Sequence, residues 1–251
     1  MSFKACRLGV ALCAVGATLL LVVSRTLAAD LAPAPESVQW SGFYIGGQIG
    51  GAWSETDWHY KNPNWFNTAG STLVGTNFDL DGSGVLGGAQ LGFNYQSRSW
   101  VFGIEGSAAG AGIDGSRPSP FFPALDRYST QIDWLTTVTG RAGYAQDRWL
   151  AYAKGGWAGA DIELDLFDHV TPLRARSSTW ANGWTVGGGI EYAICKNFSL
   201  GGEYDYAELD IGSFTVRCPA CPSGVGGGVP VVDGDARLQS VTARLNYRFG
   251  R

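Results

Sequence analysis

Between Trp40 and Phe249, apolar and polar residues alternate with a period of two in eight separate stretches. Such a period gives a strand one apolar and one polar face. The final stretch, Arg237–Phe249, is the cleanest. Val241, Ala243, Leu245, Tyr247 and Phe249 fall on one parity, and Ser240, Thr242, Arg244, Asn246 and Arg248 on the other. The remaining seven are Trp40–Trp53, Val85–Gln96, Trp100–Ile113, Asp133–Gln146, Trp149–Leu166, Gly183–Ile194 and Phe198–Asp210. Two architectures use such strands. In a soluble sandwich the apolar face meets a second sheet. In a membrane barrel it meets lipid, and the polar face lines the lumen. In the fifth stretch DIELDL alternates in the opposite phase to the residues before it, so a bulge or the membrane edge falls near Gly159.

Loop lengths favour the barrel. Short links at Ser97–Arg98, Asp147–Arg148 and Cys195–Asn197 alternate with long ones at Ser54–Gly84, Asp114–Ile132, Phe167–Asn182 and Ile211–Ala236. Outer-membrane barrels alternate short periplasmic turns with long extracellular loops in this way. Aromatics then fall into two belts. The periplasmic belt holds Trp40, Phe93, Tyr95, Trp100, Tyr144, Trp149, Tyr192, Phe198, Tyr247 and Phe249, and the outer one Trp53, Trp134, Trp157, Trp184 and Tyr206. Amphipathic rings prefer membrane interfaces. The Trp149–Trp157 span is roughly 27 Å along a strand and about 20 Å vertically at ~40° tilt, close to the ~25 Å apolar band. A soluble sandwich predicts no such belts.

Composition agrees. The 251 residues include 37 Gly, a single Met, 13% aromatic and only 16% charged residues, which suits many short strands better than helices. The formal charge of −4 includes a basic leader. Without Lys4, Arg7 and Arg25, 15 basic residues stand against 22 acidic ones, about −7. That balance excludes nucleic acid as a partner, since binding it requires a cationic footprint. Residues 1–29 read as a cleaved signal peptide: Lys4 and Arg7 lead, Leu8–Val23 is apolar, and Ala28–Ala29 offer small residues at the cleavage site. The apolar run is short of the ~20 residues of a spanning helix. Leu12 is bulky for the position before a lipidated Cys13. Residues 30–39 read as a periplasmic tether, and 40–251 as an all-β, eight-stranded antiparallel transmembrane barrel.

The inward parity carries Glu105, Asp133, Glu191, Glu203 and Asp205 against Arg141, Lys154, Arg244 and Arg248. An eight-stranded interior is just wide enough for side chains to fill, and buried charges must be paired. Ion pairs are therefore expected between neighbouring strands, with Arg244 or Arg248 meeting Glu203 or Asp205. This lining reads either as a solute pore or as a structural plug, and eight strands favour the plug.

The opening WSGFYIGGQIGGAW after ADLAPAP, with GFNYQSRSWVFGIEG, TGRAGYAQDRWLAYAKGGWA, GWTVGGGIEYAICKNFSLGGEYDY and ARLNYRF, resembles the outer-membrane immunogenic proteins of alphaproteobacteria. These are small porin-like barrels distantly similar to the OmpA membrane domain. The resemblance implies an outer-membrane location, surface-exposed loops, and a role in envelope integrity or host contact. It also implies insertion by the barrel-assembly machinery through a C-terminal signal ending in an aromatic. Here Gly250 and Arg251 follow Phe249, a departure from that pattern.

Candidate chemistry is sparse. Cys218 and Cys221 form CPAC in the fourth long loop. A redox motif needs an electropositive setting and zinc needs two further ligands, so a loop disulfide suits an oxidising envelope better. Cys195 stands alone in a turn. His59, near Asp57, and His169, beside Asp168, fall in outward loops without an inward Ser. Trp65, Phe66, Phe121 and Phe122 form aromatic-rich loops suited to partners. The expectation is a non-enzymatic barrel with no cofactor or metal, partnered by outer-membrane lipid and by host or envelope surface ligands. A small-solute porin and a membrane-embedded envelope-lipid hydrolase are the alternatives.

Overall fold

Alternating side chains turn the chain into one long antiparallel ladder. The computed structural model describes residues 38–62, 77–119, 124, 126–169, 173–217 and 231–249. The signal peptide, most of the tether, Trp65, Phe66, Phe121, Phe122, Cys218, Cys221, Gly250 and Arg251 lie outside these residues.

Strands β1 (Gly42–Asn62), β2 (Asn77–Ser97), β3 (Trp100–Pro118), β4 (Asp126–Gln146), β5 (Trp149–Asp168), β6 (Leu173–Ala193) and β7 (Phe198–Asp210) lie side by side in that order, neighbours paired antiparallel. β9 (Val231–Arg248) pairs with β7 on one side and with β1 on the other, from Tyr44↔Arg248 upward, so the sheet closes on itself. Among the described residues nine strands are present where the sequence pattern indicates eight. The extra one, β8 (Phe214–Thr215), is a two-residue pairing against the outer end of β9. Pairing of Ser97 with Trp100 and of Gln146 with Trp149 leaves two-residue turns. Arg98 and Asp147 adopt positive φ there, at 55° and 53°, the twist that tight hairpins require.

Most strands run well past their expected outer ends: β1 extends to Asn62, β2 begins at Asn77 and β6 at Leu173. The physical reason is an inversion of environment. In β5 the even residues face inward throughout, from Leu150, Tyr152 and Lys154 to Ile162, Leu164 and Leu166. Below Trp157 the inward side carries polar groups and the outward side is apolar; above it the inward side is apolar and Asp161, Glu163 and Asp165 face out. The phase change of DIELDL is thus a change of surroundings, not a bulge in β5. The register slip lies in β4, between Ile132 and Trp134, where Asp133 is the extra residue against β5.

The interior consequently has three layers. The outer part, termed the collar, encloses a conventional apolar core of Trp58, Tyr60, Phe78, Leu80, Ile113, Ile132, Ile162, Leu164, Leu209 and Leu238. The middle is polar. At the turn end, Trp40, Val101, Ala145, Leu150, Tyr152 and Ala193 form a small apolar base.

Candidate functional site

The polar middle layer is built by inward residues of strands that keep their phase. Glu105 comes from β3, Arg141 from β4, Lys154 from β5, Glu191 from β6, Glu203 and Asp205 from β7, and Arg244 from β9. Arg244 donates to Glu105 Oε2 at 2.5 Å and pairs with Glu203. Lys154 Nζ lies 2.7 Å from Glu203, 3.1 Å from Asp205 and 3.6 Å from Glu105. Arg141 lies 3.1 Å from Glu191 and 3.4 Å from Glu105. The pairs Arg244–Glu105, Lys154–Glu203 and Arg141–Glu191 join strands that are not adjacent in the sheet. The expected pairs between neighbouring strands are also present, as Arg244–Glu203 and Arg141–Glu105. The lumen is narrow enough for long side chains to cross it as well.

Uncharged residues complete the cluster. Tyr44 donates to Glu105 and Tyr152 to Glu203, both at 2.6 Å. The Arg141 guanidinium lies between their rings, at 4.9 and 4.6 Å. Glu191 also accepts from Ser199 at 2.9 Å and Asn246 at 3.2 Å, while Asn94 accepts from Arg141 Nε at 3.0 Å. Gly189 leaves room for Tyr152: a Cβ there would meet its phenol oxygen at 2.7 Å. In the sequence only their inward parity, shared with the charges, marks these residues. Just above the cluster is a cavity of about 20 Å³ bordered by Lys154, Asp205, Gln48 and Thr242, room for about one water.

Three expectations need correction. Arg248 is buried but makes no ion pair among the described residues. Its guanidinium stacks over the Trp40 ring at 4.1 Å and contacts the Lys196 carbonyl. Trp40 is not a belt residue. Fully buried, it plugs the turn end, held by donation of its backbone N–H to Gln96 Oε1 at 2.7 Å. Asp133 is the bulge residue and accepts from Gln131 at 2.7 Å, away from the charged cluster.

Outside, Trp53, Trp100, Trp134, Trp149, Trp157, Trp184, Tyr247 and Phe249 all point outward and are exposed. Trp180, unassigned from sequence, joins the upper group, and Gly159 gives space where its indole approaches that of Trp157. Between the belts the outward face carries Ile49, Val85, Leu91, Ile104, Val138 and Ile190.

The collar is acidic. Asp79, Asp57, Asp235 and Asp210 lie directly opposite one another across β2, β1, β9 and β7. Partial burial, with Asp79 and Asp235 close by, pushes the Asp57 carboxyl above its usual range despite Arg237. His59 Nδ1 lies 2.5 Å from Asn77 Oδ1, and the His169 ring packs on Phe167. Neither histidine is hydrogen-bonded to a serine among the described residues. No His, Cys, Asp or Glu group suited to a metal occurs among them. Cys195 has no disulfide partner among the described residues.

The outer membrane protein beta-barrel domain family matches residues 16–249. The 31 kDa outer-membrane immunogenic protein of Brucella melitensis is 32% identical over 194 residues, covering 75% of this chain and 79% of the relative. A 22 kDa outer membrane protein of Rhizobium leguminosarum is 27% identical, covering 74% and 76%. Among solved structures, the outer membrane protein OprG of Pseudomonas aeruginosa aligns with TM-score 0.51 at 14% identity, over 84% of this chain and 97% of that one; it shares the fold. With an all-β closed sheet, an apolar outer band and relatives in the same envelope layer, the chain belongs to the outer-membrane β-barrel family that includes alphaproteobacterial outer-membrane immunogenic proteins, as a structural member located in the outer membrane.

Proposed function

We propose that the protein is a non-conducting, eight-stranded transmembrane barrel, exported by a signal at residues 1–29, that stabilises the envelope and displays its loops to surface or host ligands. The observation that carries this reading is the crossed lumen: ion pairs span it from β3 to β9 and from β5 to β7, and the cavity that borders them among the described residues is water-sized. A filled interior suits a structural member better than a passive solute porin. The charged cluster serves as a rigid internal brace, and the outward aromatics anchor the barrel at both lipid interfaces. Cys218 and Cys221 are proposed to close a loop disulfide. The immunogenic naming of the relatives fits loops presented at the cell surface.

Planar-bilayer recording tests the brace. Purified monomer is expected to give no discrete channels, and reproducible unitary conductance would overturn the reading in favour of a porin. In cells, a deletion strain is expected to leak under detergent stress and to recover with the wild-type gene.

A further inference from the structure

The turn end of the barrel repeats one arrangement around its rim. Cross-strand aromatic pairs occupy every second strand junction: Phe43–Phe93 at 4.9 Å, Trp100–Tyr144 at 5.6 Å, Trp149–Tyr192 at 4.7 Å and Phe198–Tyr247 at 5.0 Å. The junctions between them are the three short turns, and each carries one exposed cation: Arg98, Arg148 (beside the exposed Asp147) and Lys196. None of the three forms an ion pair among the described residues.

The turns are fixed in equivalent ways. Ser99 O accepts from Ala145 N–H at 2.7 Å, Arg148 O from Ala193 N–H at 2.8 Å and Asn197 O from Arg248 N–H at 2.7 Å. Each turn is thus pinned to the strand after its hairpin, and the three cations are held at one level. The opposite end bears the aspartate row of the collar, so the charge along the barrel axis is polarised.

We infer that this rim is a docking surface for anionic phospholipid headgroups of the periplasmic leaflet, each turn cation taking a phosphate beside an aromatic pair. The inference rests on the transmembrane reading above. Anionic leaflets attract basic residues that lie close to the bilayer surface. Arg98 and Lys196 stand two residues from Trp100 and Phe198, and Arg148 stands next to Trp149, within roughly 7 Å along the chain. That places the charges at headgroup depth, too shallow to reach the cell-wall polymer.

The test uses full-length protein in vesicles of phosphatidylcholine alone and of equimolar phosphatidylcholine and phosphatidylglycerol. Protease protection and heat-modifiable migration in phosphatidylcholine establish spanning independently of headgroup charge. Native mass spectrometry then counts the lipids retained from the mixed vesicles. Wild type is expected to retain phosphatidylglycerol in preference to phosphatidylcholine. The triple variant Arg98→Asn, Arg148→Gln, Lys196→Gln should lose at least about fivefold of that preference. Asn is chosen because it tolerates the positive φ at position 98. The charge-keeping variant Arg98→Lys, Arg148→Lys, Lys196→Arg should retain it. A spanning protein with equal preference in wild type and neutral variant overturns the inference while leaving the barrel reading intact. Failure of wild type to span overturns both. If the neutral variant loses co-sedimentation with cell-wall sacculi but keeps its lipid preference, the rim serves the wall polymer and the lipid inference falls.

Discussion

Arg244 on the closing strand reaches Glu105 on β3 at 2.5 Å, joining residues 139 positions apart across the lumen. Both side chains are almost completely buried. Removing one partner strands the other charge away from water, which costs about 3–5 kcal/mol in buried pairs. Arg244→Met is therefore expected to lower the temperature at which the folded gel band converts to the unfolded one. Arg244→Met with Glu105→Gln should recover part of the loss. Equal thermal conversion of Arg244→Met and wild type would show that the cluster braces nothing.

Trp40 and Arg248 close the turn end together, ring against guanidinium at 4.1 Å. Trp40→Ala removes a fully buried indole, a change that costs about 3–5 kcal/mol where the site does not collapse. The Ala145 and Leu150 region should lose hydrogen-exchange protection. Exchange unchanged there would show that the segment before β1 merely rests on the base.

The inverted collar is tested by comparing the two faces of β5. Leu164 is fully buried, so Leu164→Ala should destabilise the collar by about 2–5 kcal/mol. Glu163 on the opposite face pairs with an exposed Arg176, and Glu163→Gln should cost less than about 1 kcal/mol. Protease cleavage rates of the collar at fixed temperature give the comparison, and the reverse ranking would contradict the assigned orientation.

Between the belts the demand is opposite. Leu91 is 65% exposed on the apolar band. Leu91→Arg should cost about 2–4 kcal/mol in a bilayer if the site lies near the midplane. Folding yield into vesicles should fall, while Asp81→Arg, outward in the collar opposite Glu55, should be tolerated.

Asp57 faces Asp79 and Asp235 on its two neighbouring strands. Its carboxyl pKa is raised by partial burial and by these neighbours. A raised folded-state value makes its contribution favourable below the unfolded pKa and lost as pH rises through the folded one. Asp57→Asn is thus expected to stabilise the collar at neutral pH and to change little in acid. Thermal conversion measured across mildly acidic to neutral pH checks the sign, and a destabilising effect at neutral pH would refute it.

How far the chain can be read without coordinates depends on whether a property is local. Strand alternation is local, since the period of two lies in consecutive residues. Hence the order of the eight long strands, the two-residue turns at Arg98 and Asp147, the outward Trp149 and Trp157, and the inward Lys154 and Arg244 are legible. Strand ends are not. The polarity of DIELDL reverses while its side chains keep their faces, and a pattern of polar and apolar letters reports surroundings as well as direction. Trp40 shows the same ambiguity: an aromatic near a strand end reads as an interface anchor unless its side is known.

Sequence periodicity therefore settled the all-β class, the order of the long strands and the sign of each face within the apolar band, because backbone geometry ties side-chain direction to parity. Closure of the sheet decided the rest. Which cation meets which carboxylate depends on the width of the lumen, and Arg244 finds Glu105 only after β9 has paired with β1. Tyr44 and Tyr152 enter the cluster for the same reason. Their partners lie 61 and 51 residues away in the chain, brought close by the curvature of the closed sheet and not by any spacing along the sequence.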